Sequence, residues 1–299
     1  MVSDIAEEIA SQPSVWHRAA DVAAGSGLAL PRPGERVLAV GCGTSWFVAQ
    51  AYAALREDAG DGETDAATAT ELTPGRPYDR AVVISRSGTT TEVIDVLRDL
   101  NARDVPSTAI TAVLGSPVAT LASRALILDF ADERSVVQTR FATGALALLR
   151  AHVGEDLDRA IVDAGTALAE PLPVDPAAFD HFVLLGHRWT IGLAHEGALK
   201  LREAAQAHSE SYPAMEYRHG PISVAGPTSL VMILGTPDPT IADDVRTCGA
   251  TVLVAELDPM AELLRIQRIA VALAESRGLD PDHPRHLTRS VVLQQEGTG

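Results

Sequence analysis

Two doubly wound α/β domains, each built on a parallel sheet, are the fold class that this 299-residue sequence predicts. Three observations carry it. Short β-branched apolar runs alternate with helical stretches along the chain. A proline-rich break, Glu170-Pro-Leu-Pro-Val-Asp-Pro176, interrupts the alternation near its middle. The pattern then restarts, and a glycine turn after the first strand of each half recurs 145 residues apart (186 minus 41), the spacing of a duplicated domain.

The elements follow in order. Residues 4–24 have helical periodicity through Ile5, Ile9, Trp16 and Val22, and the Pro-rich segment Leu30–Gly34 ends this helical lead-in. Arg36–Gly41 is a short apolar strand that runs into Cys42-Gly-Thr-Ser45 and an Ala-rich helix through Leu55. Arg80–Ile84 is the next strand, followed by the polar turn Ser85–Thr91 and a helix over 92–100. Residues 106–114 and 124–128 supply two further strands. The stretch 141–168 reads as helical up to the break. After it His181–Leu185 is a strand, 186–189 a turn, Thr190–Ala207 a helix, and 229–234 and 250–255 strands; residues 207–221 read as a polar loop. The expected division is 1–34 lead-in, 35–170 first domain, 171–280 second domain and 281–299 C-terminal tail.

Composition narrows the function classes. The 40 acidic against 24 basic residues, a formal charge of -16, oppose nonspecific attraction to nucleic acid or anionic lipid. Aromatic residues, 4% of the chain, leave little surface for stacking bases. The N-terminus has no basic stretch and no apolar run spans a bilayer, so the expected location is cytoplasmic. Cys42 and Cys248 are too few for a disulfide scaffold or a cysteine zinc site, and the nine histidines show no helical H-x-x-x-H pair with a third ligand, so no metal and no cofactor are expected.

In doubly wound sheets ligands bind beyond the carboxyl ends of the strands. There stand Gly43-Thr44-Ser45 and Ser85-Arg86-Ser87-Gly88-Thr89-Thr90-Thr91, two turns rich in hydroxyls that lead straight into helices. Free N–H groups, hydroxyl donors and a positive helix end together suit a phosphate dianion, although such hydroxyls also serve simply as helix caps. Gly41-Cys-Gly43 opens like a dinucleotide fingerprint, but Trp46 stands where the third glycine is required.

The candidate chemistry lies in the second half. Glu196, Lys200 and Glu203 share one helix face at i, i+4 and i+7, which is either an exposed salt-bridged stripe or three ionisable groups lining a cleft. The sequel, Glu216-Tyr-Arg-His219-Gly-Pro221, adds an imidazole, and a carboxylate with an imidazole can move protons at neutral pH.

These segments, E-G-A-L-K-L-R-E at 196–203 and E-Y-R-H-G-P at 216–221, resemble the double sugar-isomerase (SIS) domain family, in particular the isomerase half of the glucosamine-6-phosphate synthases. Ser85–Thr90 matches its phosphate loop, Cys42–Ser45 its first turn, and Asp282–Leu287 its C-terminal tail. The resemblance implies two tandem flavodoxin-like domains with a tail closing the active site. It also implies a homodimer with shared active sites, and a phosphorylated sugar or amino sugar held by Ser45, Ser85, Arg86, Ser87 and Thr90. By the same resemblance Glu203 is the base that moves a proton between C1 and C2, His219 opens the sugar ring from the partner subunit, and Lys200 belongs to the catalytic set. Gly43, Thr44, Glu133, Thr139 and Arg289 border the substrate.

Two departures bear on the reaction. The synthases begin with a glutaminase domain and its nucleophilic cysteine, whereas here Val2 follows Met1 and no cysteine precedes Cys42. The tail reads Leu287-Thr288-Arg289-Ser290, with arginine in place of the lysine that forms an imine with the ketose. The expectation is therefore an aldose–ketose isomerase, or an amino-sugar-phosphate deaminase or deglycase, rather than a glutamine-dependent aminotransferase. A non-catalytic, sugar-phosphate-binding regulatory protein is the alternative.

Overall fold

The computed structural model describes residues 3–73 and 75–293. Met1, Val2 and residues 294–299, the outer ends of the expected lead-in and tail, lie outside the described residues.

Residues at the N-terminus form two helices, α1 (Asp4–Ala10) and α2 (Gln12–Gly25). They break at Ser11, and Pro13 falls in the first turn of α2, where its missing N–H costs no helical hydrogen bond. The first sheet comprises β1 (Val37–Gly41), β2 (Thr64–Thr68), β3 (Arg80–Ile84), β4 (Ser107–Thr111) and β5 (Arg124–Ile127). All its pairings are parallel and its order is β2-β1-β3-β4-β5, the flavodoxin-like winding. Its helices are α3 (Thr44–Asp58), α4 (Thr91–Ala102), α5 (Pro117–Leu121), α6 (Arg140–His152) and α7 (Asp158–Ala169). The second sheet has β6 (His181–Gly186), β7 (His208–Pro213), β8 (Ser229–Ile233) and β9 (Thr251–Val254) in the order β7-β6-β8-β9, the same winding with one strand fewer. Its helices are α8 (Thr190–Ala205), α9 (Thr240–Thr247) and α10 (Pro259–Ser276).

Two expectations are corrected. The helical stretch 141–168 is two helices, because Gly154 adopts φ +87° after α6 and reverses the chain. The expected polar loop at 207–221 begins as strand β7 and continues as 3₁₀ turns. An edge strand pairs on one side only and is half covered, so β7 can be His-Ser-Glu-Ser-Tyr-Pro without the apolar signature of a central strand.

Alternation along each strand sorts the core into layers. Val37, Ala39, Val82 and Ile84 of the first sheet, and Phe182, Leu184, Leu230 and Met232 of the second, turn toward one continuous cluster that includes α2, α3, α6, α8 and α10. Leu38, Val40, Ala81 and Val83 turn the other way, against α4. Val183, Leu185, Val231 and Ile233 likewise turn toward α9. The two sheets thus share a central helical layer in which α3 and α8 pack on each other, and this contact positions the site.

Candidate functional site

In the order β2-β1-β3-β4-β5 the chain switches direction between β1 and β3, and the turns that leave these two paired strands stand side by side. Gly41 ends β1 without a side chain because a Cβ there would fall 2.6 Å from Cβ of Ser45, so α3 starts hard against the strand. Thr44, Ser45, Ser85 and Ser87 are all buried at this crevice. Within the second turn the Gly88 N–H donates to Ser85 Oγ at 3.2 Å and the Thr89 N–H to Ser87 Oγ at 3.2 Å. Gly88 has φ +65° and a Cβ there would meet Ser116 Oγ at 2.1 Å, so only glycine closes this loop. Neither N-cap residue, Gly43 of α3 nor Thr90 of α4, makes a side-chain cap. The hydroxyls are therefore not consumed as helix caps, and two helix N-termini face the switch point with polar groups an anion can use.

The second unit supplies the ionisable groups. Gly192 lets α8 approach α3, since a Cβ there would lie 2.4 Å from the Phe47 carbonyl oxygen. That approach carries Lys200 to the first turn of α3, where Nζ donates to Thr44 Oγ1 at 3.2 Å. The same ammonium lies 3.3 Å from Glu196 Oε1 and 2.5 Å from Glu203 Oε2. Lys200 and Glu196 are buried, while the Glu203 side chain keeps 18% of its exposure. The reading as an exposed salt-bridged stripe is thereby excluded. Two carboxyl groups thus share one ammonium in a largely buried site. Burial pushes the Glu196 carboxyl up to about 7 despite Lys200, and neighbouring Glu203 adds to the rise. Burial pulls the Lys200 ammonium down, but Glu196 and Glu203 outweigh it and hold it above its ordinary value.

His219 is not brought to this cluster within one chain. His219 itself is exposed at the end of the 3₁₀ turn Ala214–His219, whose Ala214 and Tyr217 are buried with α9 on the outer face of the second sheet, whereas α8 packs on the inner face. The remaining expected residues form a separate group. Glu133 is buried and its Oε1 accepts from the Thr139 N–H (2.5 Å), Thr139 Oγ1 (2.9 Å) and the Arg140 N–H (2.8 Å), capping α6; burial raises its pKa. Arg86 and Arg289 both reach the segment around Glu133. Sequence reasoning left out Asp132, which pairs with Arg289, and Thr89, whose hydroxyl donates to Ser290 Oγ at 2.9 Å. Asp132 adjoins Glu133 in sequence, and Thr89 lies inside the hydroxyl run, so the signal was proximity alone. Among the described residues no group of three or more His, Cys, Asp or Glu side chains is arranged to hold a metal ion, and no helix is long and apolar enough to cross a membrane. A cavity of about 320 Å³ lies by edge strand β9, lined by Val252, Val254, Ile266 and Ile269, away from the switch point. The hydroxyl turn is crossed by the C-terminal segment.

Residues 32–151, which hold the first sheet and its switch-point crevice, match the family model of the SIS domain. The chain carries a SIS domain over these residues. It is 28% identical to the glutamine–fructose-6-phosphate aminotransferase of Methanothermobacter thermautotrophicus over 87% of this chain and 52% of that protein. It is 30% identical to the Pyrobaculum aerophilum protein of the same name over 72% and 44%. The chain spans about half the length of the curated relatives it matches. Among solved structures, glucosamine-6-phosphate deaminase from Thermotoga maritima superposes with a TM-score of 0.80 at 26% identity, covering 97% of this chain and 100% of that one. The C-terminal domain of the glucosamine-fructose-6-phosphate aminotransferase of Francisella tularensis gives 0.83 over 95% and 99%, at 19% identity a likeness of fold.

Proposed function

We propose that this protein is a cytoplasmic phosphosugar enzyme that moves a proton between C1 and C2 of a bound sugar phosphate or amino sugar phosphate, as an aldose–ketose isomerase or a deaminase. The observation that carries this reading is the buried Glu196–Lys200–Glu203 cluster set against the first turn of α3, with Glu203 alone partly open. The names of the relatives, aminotransferases labelled isomerizing and a deaminase, agree with it.

In this reading Ser45, Ser85, Ser87 and Thr90 hold the phosphate at the two helix N-termini. Glu203 takes the proton from C2 of an open-chain aldose as the C1 carbonyl oxygen gains one, giving the C1–C2 enediol, and a proton is returned at C1 as O2 gives up its own, leaving the ketose; an enolamine takes the place of the enediol in a deaminase. Lys200, a fixed cation, compensates the charge on Glu203 and on the developing oxyanion. His219 assists ring opening and comes from the second subunit of a homodimer. With arginine at 289 no imine forms, so transfer of nitrogen from glutamine is disfavoured. The division at residues 170 and 171 separates the phosphate-holding unit from the proton-moving one.

The test is incubation with fructose 6-phosphate or glucosamine 6-phosphate in deuterated water. Label is expected in the product at the carbon that receives the proton, C2 of an aldose formed from fructose 6-phosphate or C1 of a ketose formed from glucosamine 6-phosphate, and Glu203→Gln is expected to slow its appearance at least ~100-fold while leaving binding within a few-fold. Binding without label on either sugar would instead support a sugar-phosphate-binding regulatory module.

A further inference from the structure

We infer that Arg86 and Arg289 form a clasp that fixes the C-terminal segment 282–293 across the hydroxyl-rich loop, and that both act as positioning residues rather than as ligands of the phosphate. Arg86 stands in the loop between Ser85 and Ser87, yet its side chain is 1% exposed and reaches the segment 133–136. Nη1 donates to the carbonyls of Ser135 (3.1 Å) and Val136 (3.3 Å), and Nη2 to the carbonyl of Arg289 (2.9 Å). The Glu133 carboxylate, 3.6 Å away, balances the charge. A guanidinium presents its donors in a rigid plane, and here both terminal nitrogens donate to protein carbonyls, while Nε is buried without a protein partner. Arg289 closes the clasp from the other side, donating to the Glu133 carbonyl and pairing with Asp132. The segment 132–136 is therefore gripped between two guanidinium groups.

The strap is stitched down at both ends. Asp282 accepts from the Asp4 N–H (3.0 Å) and the Ile5 N–H (2.7 Å), capping α1, and its carbonyl accepts from the Val136 N–H at 3.2 Å. Past Arg289, the Val291 carbonyl accepts from the Thr91 N–H at 3.3 Å, and the Leu293 N–H donates to Thr91 Oγ1 at 2.9 Å. Val291, Val292 and Leu293 remain 53%, 66% and 53% exposed, so polar links and not apolar burial hold this stretch. Such a segment opens at low cost, and the clasp sets how often it does. Resting on the function proposed above, closure of the strap over the phosphate turn is what shields proton transfer from water.

Hydrogen exchange of the full-length protein, free of ligand, tests the clasp without reference to any sugar. Arg86→Gln and Arg289→Gln are each expected to speed exchange of the Thr91 and Leu293 amides at least ~10-fold, with the double variant no faster than either alone. Arg86→Lys, which keeps the charge but not the planar fork, should behave like Arg86→Gln. Inorganic phosphate affinity should change less than ~3-fold in all of them. Wild-type exchange of these amides in both single variants would overturn the clasp. So would a 10-fold or greater loss of phosphate affinity in Arg86→Gln, rescued by lysine, with exchange unchanged. Arg289→Gln probes the partly exposed half and guards against a folding defect at Arg86. Failure of phosphosugars to bind would count against the proposed function alone.

Discussion

Glu196 is the residue whose environment departs most from what its position in a helical repeat suggests. Its spacing from Lys200 and Glu203 was legible, but burial was not, because burial comes from the approach of α3, a segment about 150 residues away. The consequence is a pH dependence of defined sign. Its carboxyl rises from 4.5 to about 7 in the folded protein, so between these values the native state binds more protons than the unfolded chain. Stability contributed by this group is therefore greatest below about 4.5 and is lost as pH rises through about 7. The loss amounts to at most about 3 kcal/mol by linkage at 1.36 kcal/mol per unit. Glu196→Gln cannot titrate. Denaturant unfolding at pH 5.5 and 7.5 should show the wild type losing ground to Glu196→Gln at the higher pH; parallel pH dependences in the two proteins would contradict the buried-carboxyl account.

At the scale of elements, the site depends on how closely α8 lies on α3. Gly192→Ala would place a methyl group 2.4 Å from the Phe47 carbonyl and 3.0 Å from the Ala51 nitrogen, both backbone atoms that cannot swing aside. The helices must separate, at an expected cost of about 1–3 kcal/mol. The Lys200–Thr44 contact should loosen with them, lowering the rate of deuterium incorporation by ~10-fold or more. Gly165→Ala in α7, with nothing within 4 Å of the added carbon, is the control and should be neutral or stabilise by up to about 1 kcal/mol. Central strands and helices such as β1, β3, β6 and α3 were legible because both faces of a parallel sheet must be apolar. The edge strands β2 and β7 were not, since Thr64-Asp-Ala-Ala-Thr68 and His208–Pro213 carry polar residues that one-sided pairing tolerates. The hydroxyl turn was legible by composition. A closing tail was expected from the resemblance, but the contacts that hold it were not legible, because Arg86 and Asp132 reach Arg289, and Thr89 reaches Ser290, only in three dimensions.

For the whole molecule, the separation of Glu203 and His219 by the second sheet turns the proposed dimer into a sharp experiment. Alternation along β6 and β8 puts α8 on one face and the His219 turn on the other, so one chain does not assemble both groups. If each site takes Glu203 from one subunit and His219 from its partner, Glu203→Gln and His219→Ala should complement each other. In a mixed dimer one site carries both defects and the other carries none. Random pairing of equal amounts makes half of the dimers mixed, and each mixed dimer has one intact site of two, so about a quarter of wild-type activity should return on mixing the two inactive variants. Were both groups used within a single chain, every site would keep one defect and no activity would return. Recovery should also require subunit exchange, rising with the time the two variants spend together and failing when each dimer is first cross-linked to itself.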